Sequence, residues 1–121
     1  MSVSGDPGNL VVNTATAGSE PTADTDNTTS WAVTTNESSK KMTGSINTDM
    51  PANTTLEINL TAPTGGSSAG DMSLSTTAAD LVTAIATVAE SGLTITYTLS
   101  ATIAAGIVAQ AQKTVTLTLT D

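Results

Sequence analysis

Large apolar residues and threonines alternate without interruption from Leu93 to Leu99. Successive side chains of a strand leave opposite faces, so Leu93, Ile95, Tyr97 and Leu99 form one row and Thr94, Thr96 and Thr98 the other. The same code returns near the C-terminus, where Val115, Leu117 and Leu119 alternate with Thr116, Thr118 and Thr120. Both segments read as strands with one buried and one wet face, and the reading puts them in one sheet. Residues 54–62 supply a third, with Leu56, Ile58, Leu60 and Ala62 inward and Thr55, Glu57, Asn59 and Thr61 outward. Two shorter runs, Trp31 to Thr35 and Lys40 to Asn47, flank the polar turn Asn36-Glu37-Ser38-Ser39 and read as a hairpin, with Trp31 as the core anchor.

The intervening stretches are punctuated by turn residues. Gly5, Asp6, Pro7 and Gly8 offer nothing to bury, so residues 1–16 read as a flexible N-terminal arm; within it Leu10, Val11 and Val12 mark a short strand over 9–16, which is either the first strand of the chain's own sandwich or a segment that reaches another subunit. Residues 17–30 hold no large apolar side chain and read as a linker or long loop. The body of the domain is then 31–121. Pro51 breaks the chain after Met50, and Pro63 to Gly70 is a Gly/Ser-rich loop. Met72 to Ser75 is a short strand. Thr77 followed by Asp80 has the spacing of a helix cap, which predicts one short helical turn over 78–83, with strand returning over 84–89. Beyond Leu99, residues 101–112 either turn at Ala104-Ala105-Gly106 into a long hairpin ending at Val115, the preferred reading, or cross over the surface.

Short strands at close intervals with almost no helix predict an all-β fold, a two-sheet antiparallel β-sandwich of Ig-like or fimbrial-like kind. The composition agrees. The chain has 121 residues, enough for one domain. Roughly a fifth of its residues are threonine, whose branched side chain suits a pleated surface. Trp31 and Tyr97 are its only aromatic residues, so Leu, Ile, Val, Met and Ala must fill the core.

Charge narrows the partners. Three lysines against eleven acids give a net charge of −8, which repels phosphate backbones and anionic headgroups, so nucleic acid is excluded. No apolar run has the length of a transmembrane helix, so membrane insertion by helix is excluded too. The Thr/Asn/Ser/Gly-rich, Lys-poor composition is that of secreted or cell-surface proteins, with Met1 read as a start added to a mature segment whose signal peptide has been removed.

Candidate chemistry is sparse. The chain has no His and no Cys, and its acids are scattered singly through turns, so no catalytic or cofactor constellation is expected and the chain reads as a non-enzyme. Asp24, Asp26 and Asn27 are the nearest approach to a metal signature, since alternating carboxylate and amide oxygens can wrap calcium, although the glycine and distal glutamate of a calcium loop are missing. Asn27, Asn36, Asn53 and Asn59 each open an Asn-x-Ser/Thr triplet. Carbohydrate remains a possible ligand, through a loop such as Pro63 to Gly70 or across the threonine rows.

The small acidic sandwich, the apolar N-terminal strand on a linker and the closing Val115-Thr116-Leu117-Thr118-Leu119-Thr120 strand together resemble secreted fibre subunits of the fimbrial and spore-coat-U-like kind. The resemblance implies an extracellular filament, pilus or surface coat built by donor-strand exchange, in which one subunit's terminal strand completes the sandwich of the next. It further implies that Leu10, Val11 and Val12 are donor residues and that Leu93, Ile95, Leu117 and Leu119 line the receiving groove. The partner is then a second copy of the chain. A secreted carbohydrate- or protein-binding module and a virion decoration protein are the alternatives.

Overall fold

Period-two alternation places an apolar row on one face of each long strand, and two such faces bury each other only by stacking sheets. A computed structural model of the chain, which describes residues 2–4, 23–102 and 113–121, has this architecture. Among the described residues nine strands follow one another: β1 (Ser2–Ser4), β2 (Asp24–Thr35), β3 (Lys40–Ile46), β4 (Thr54–Leu60), β5 (Ser67–Ser68), β6 (Met72–Ser73), β7 (Ala79–Ile85), β8 (Val88–Ala101) and β9 (Val115–Thr120). One sheet has the order β1-β2-β8-β4-β6 and the other β5-β7-β3-β9, with every pairing antiparallel. The all-β sandwich predicted from the alternation is the observed fold.

The core lies between the sheets. From the first come Trp31, Val33, Leu56, Ile58, Leu60, Leu93, Ile95 and Tyr97, and from the second Met42, Ile46, Leu81, Val82 and Ile85, all buried. Register aligns them in rows: Leu60 lies opposite Ile95, which lies opposite Thr29, while Trp31 lies opposite Leu93. The indole Nε1 of Trp31 donates to the Thr61 carbonyl at 3.2 Å, so the largest core side chain leaves no orphaned donor. Among the described residues Thr29 is the one buried Ser, Thr, amide or charged side chain, its hydroxyl directed at the Ile95 carbonyl.

Several expectations are corrected. Residues 78–83 are not a helical turn: Ala79–Ile85 is strand, paired with β3 through a bulge that lets the consecutive Leu81 and Val82 both face inward. β-Branched Val82, Thr83 and Ile85 suit that strand better than a helix, and the backbone partner offered by β3 outweighs a cap-like spacing. Residues 24–30, expected in the linker, begin β2, where pairing with β8 supplies the order that apolar side chains do not. β2 and β3 are not a hairpin. They lie in different sheets, and the turn after Thr35, with Ser39 at φ 62°, carries the chain across the core. β8 and β9 likewise lie in different sheets, not in the one sheet and long hairpin expected, and residues 103–112 between them lie outside the described residues. Ser2–Ser4, read as part of an unattached arm, pairs with β2.

Candidate functional site

The two sides of the sandwich differ. On one side a single stretch of chain laces the sheets together: Ser67–Ser68 pairs with β7, Met72–Ser73 pairs with β4, Leu74 N–H reaches the Leu56 carbonyl at 2.8 Å, and Ile46 N–H reaches that of Ser75 at 2.9 Å. Here the edge strands are two residues long and tied to both layers. The remaining edges are β1 in one sheet and β9 in the other.

β1 meets β2 at three positions only, Ser2 opposite Ala32, Val3 opposite Trp31 and Ser4 opposite Ser30. Opposed residues share a face, so Val3 belongs to the inner row of Trp31 and Leu93. Yet Val3 is 44% exposed, and among the described residues it is the only large apolar side chain so placed. Val3 is thus the exposed member of a row whose next members, Trp31 and Leu93, are buried at 1% and 8%.

β9 is different. It pairs with β3 over its whole length in one unbroken register, from Lys41 opposite Thr120 to Ile46 opposite Val115. Its inner row of Val115, Leu117 and Leu119 is half-buried and packs against the core from the rim. Leu117 and Leu119 are thus half-accessible, as receiving positions must be, whereas Leu93 and Ile95 sit in the middle of the other sheet, at 8% and 0% exposure, beneath their own chain. The structure does not bring these four residues into one open groove. Leu10, Val11 and Val12, the candidate donors, lie outside the described residues.

Asp24 and Asp26 face Leu99 and Tyr97 across the ladder, and a bulge follows at Asn27 and Thr28. The Asp26 carboxylate accepts from Thr28 N–H at 2.9 Å and from the Thr28 hydroxyl at 2.7 Å, a local turn that an Asp-x-Thr sequence makes without any metal. Among the described residues no three His, Cys, Asp or Glu side chains gather as a metal site. Trp31 and Tyr97 are buried and present no stacking platform. A shallow open groove lined by Thr34, Thr35, Asn36, Thr87, Val88 and Ala89 holds no charged or aromatic side chain.

The lysines are all engaged. Lys40 pairs with Asp121 and, at 3.1 Å, with Glu37; the hydrogen bond to Asp121, then that to Glu37, holds its ammonium above the ordinary value. Lys41 meets Asp80 at 3.1 Å, and Lys113 donates to the Thr48 hydroxyl at 2.6 Å and the Asp49 carbonyl at 2.9 Å. The site therefore consists of two backbone edges with apolar rims, a geometry that can pair with extended chain. No family model, no curated protein and no solved structure matches the chain.

Proposed function

We propose that the protein is a self-associating structural subunit of an extracellular filament or surface coat, in which the N-terminal segment of one copy pairs with β2 of another. The observation that carries this reading is the short, exposed strand beside Trp31. There Val3 occupies the edge of the core yet stays 44% exposed, on a strand held by three residue pairs. An edge strand with so few partners opens at little cost, and its backbone positions become available to a neighbour. Leu10, Val11 and Val12 offer more apolar surface for that position than Ser2, Val3 and Ser4, and residues 13–23 are the length of sequence between them and β2.

The test replaces Leu10, Val11 and Val12 together by aspartate in the full chain. Electron microscopy of the concentrated parent shows fibres or extended oligomers and the variant shows none, while both melt at the same temperature. A parent that stays monomeric, or a variant that assembles as the parent does, overturns the reading.

A further inference from the structure

Sheet edges present unpaired N–H and C=O groups, and folded proteins blunt them with short strands, bulges, prolines or charges. Every edge described here is blunted except one. β1, β5 and β6 are two or three residues long. The part of β2 that β1 does not pair with carries Asp24, Asp26 and a bulge. β9 runs for six residues with no proline, no charge and no register shift, and no described strand pairs with its outer edge.

We infer that this edge binds the same edge of a second copy, β9 against β9 in antiparallel register about a two-fold axis at Leu117. The flanking charges select that occupant and that register. Lys113 precedes the strand and Asp121 follows it, eight positions apart and symmetric about Leu117. Each is already engaged within its own copy, Lys113 with Thr48 and the Asp49 carbonyl and Asp121 with Lys40, and each keeps capacity for one more contact, a third ammonium donor and a second carboxylate oxygen. Only when Leu117 faces its own counterpart does each lysine face the other copy's aspartate, at both ends of the ladder. The same register sets Val115 opposite Leu119 on the inner face, so the half-buried rims of two cores cover each other. Thr116 then faces Thr118 on the outer face, where β-branched pairs are favourable. An isologous contact of this kind joins two four-stranded sheets into one continuous sheet. It uses a different edge from the N-terminal exchange proposed above and stands or falls separately. A pair of six-residue strands buries less than a standard interface, so the dimer is a weak one that forms at high protein concentration.

Sedimentation of the full chain with Thr116 and Thr118 both changed to lysine tests the contact. Both threonines are exposed, so the substitution leaves the protomer intact, and it lowers the net negative charge, so any lost association is not general repulsion. In the dimer it sets lysine opposite lysine twice, which raises the dissociation constant by roughly tenfold or more. The register is read separately by oxidising an equimolar mixture of T116C and T118C proteins, the chain having no other thiol. Opposed positions lie within disulfide reach and diagonal ones do not, so the mixture cross-links roughly tenfold faster than either variant alone. A parent that remains monomeric at millimolar concentration, a T116K/T118K chain that associates like the parent, or equal cross-linking in mixture and single variants overturns the inference. Association that survives T116K/T118K but is lost when Leu10, Val11 and Val12 become aspartate sinks the β9 contact and leaves the N-terminal exchange standing.

Discussion

Gly44 occupies a position where the pleat of β3 must point an inward side chain at two neighbours already in place. A Cβ there would lie 2.6 Å from Leu81 Cδ1 and 3.2 Å from Leu117 Cδ2. Leu81 is 1% exposed and packed on all sides, so its methyl group has nowhere to retreat. The glycine therefore allows β7 and β9 to close over β3, and the half-buried rim at Leu117 rests on it. Gly44→Ala is expected to lower stability by about 1–3 kcal/mol, the usual penalty of overpacking, as read from urea unfolding. In combination with Leu81→Ala the two losses are expected to be less than additive by about 1 kcal/mol or more, because the smaller side chain vacates the volume the new methyl needs. Strict additivity would show that the clash is relieved elsewhere. Backbone geometry strains other positions: Ala84 and Thr87, at φ 59° and 39°, both hold the left-handed conformation that turns β7 into β8.

Among the elements, those with unbroken alternation were readable from the residues alone. Leu56, Ile58 and Leu60 in β4 and Leu93, Ile95 and Tyr97 in β8 announce both the strand and its buried face, because a period of two is local information. Partner choice is not local. Trp31–Thr35 and Lys40–Ile46 look like arms of a hairpin because a short polar turn joins them, but the turn leads between sheets, and only the pairing of β2 with β8 and of β3 with β7 and β9 reveals this. Asp24 to Ser30 was hidden for the opposite reason: its strand character comes from the β8 ladder and from one buried threonine, not from apolar residues. Of the candidate contact residues, Leu117 and Leu119 were identifiable as a rim row by alternation. Leu93 and Ile95 show the same pattern, and nothing in the pattern separates a central strand from an edge. The turn after β4 is held by a contact no motif predicts. Thr64 donates its backbone N–H to the Glu90 carboxylate at 2.8 Å, and the side-chain hydrogen bond from Thr64, followed by that backbone bond, holds the Glu90 carboxyl below the ordinary carboxylate value. A depressed folded value means the contact stabilises fully above the ordinary glutamate pKa and is lost as pH falls through the lower one. NMR titration is expected to place the Glu90 midpoint below that of a model peptide, with the Thr64 amide moving on the same curve. In Glu90→Gln the acid-linked shift of the Thr64 amide should vanish. An unshifted Glu90 midpoint would mean that the contact does not hold in solution.

For the molecule as a whole, charge and assembly pull against each other. All three lysines serve the sheet of β3, β7 and β9 or the turn beside it, where Lys40 meets Glu37 and Asp121, Lys41 meets Asp80, and Lys113 caps the turn at Thr48 and Asp49. The opposite sheet has no lysine, and it bears Asp24, Asp26, Glu57 and Glu90 on its strands. Two copies that approach each other at low ionic strength therefore carry a net −8 apiece with little local compensation on one face. Exposed ion pairs contribute about 0–1 kcal/mol each, and salt weakens them, while the same salt screens the repulsion of the whole excess charge. The larger effect is the second, because it sums over the whole excess charge of both copies. Self-association is thus expected to strengthen as sodium chloride rises from about 0.01 M to about 0.15 M, where the screening length falls from roughly 30 Å to roughly 8 Å, and the melting temperature of the protomer should rise with it. Light scattering and thermal unfolding over that range supply the check. Association that weakens with salt would place the driving force in the Lys113 and Asp121 pairs instead of in the apolar rim that they flank.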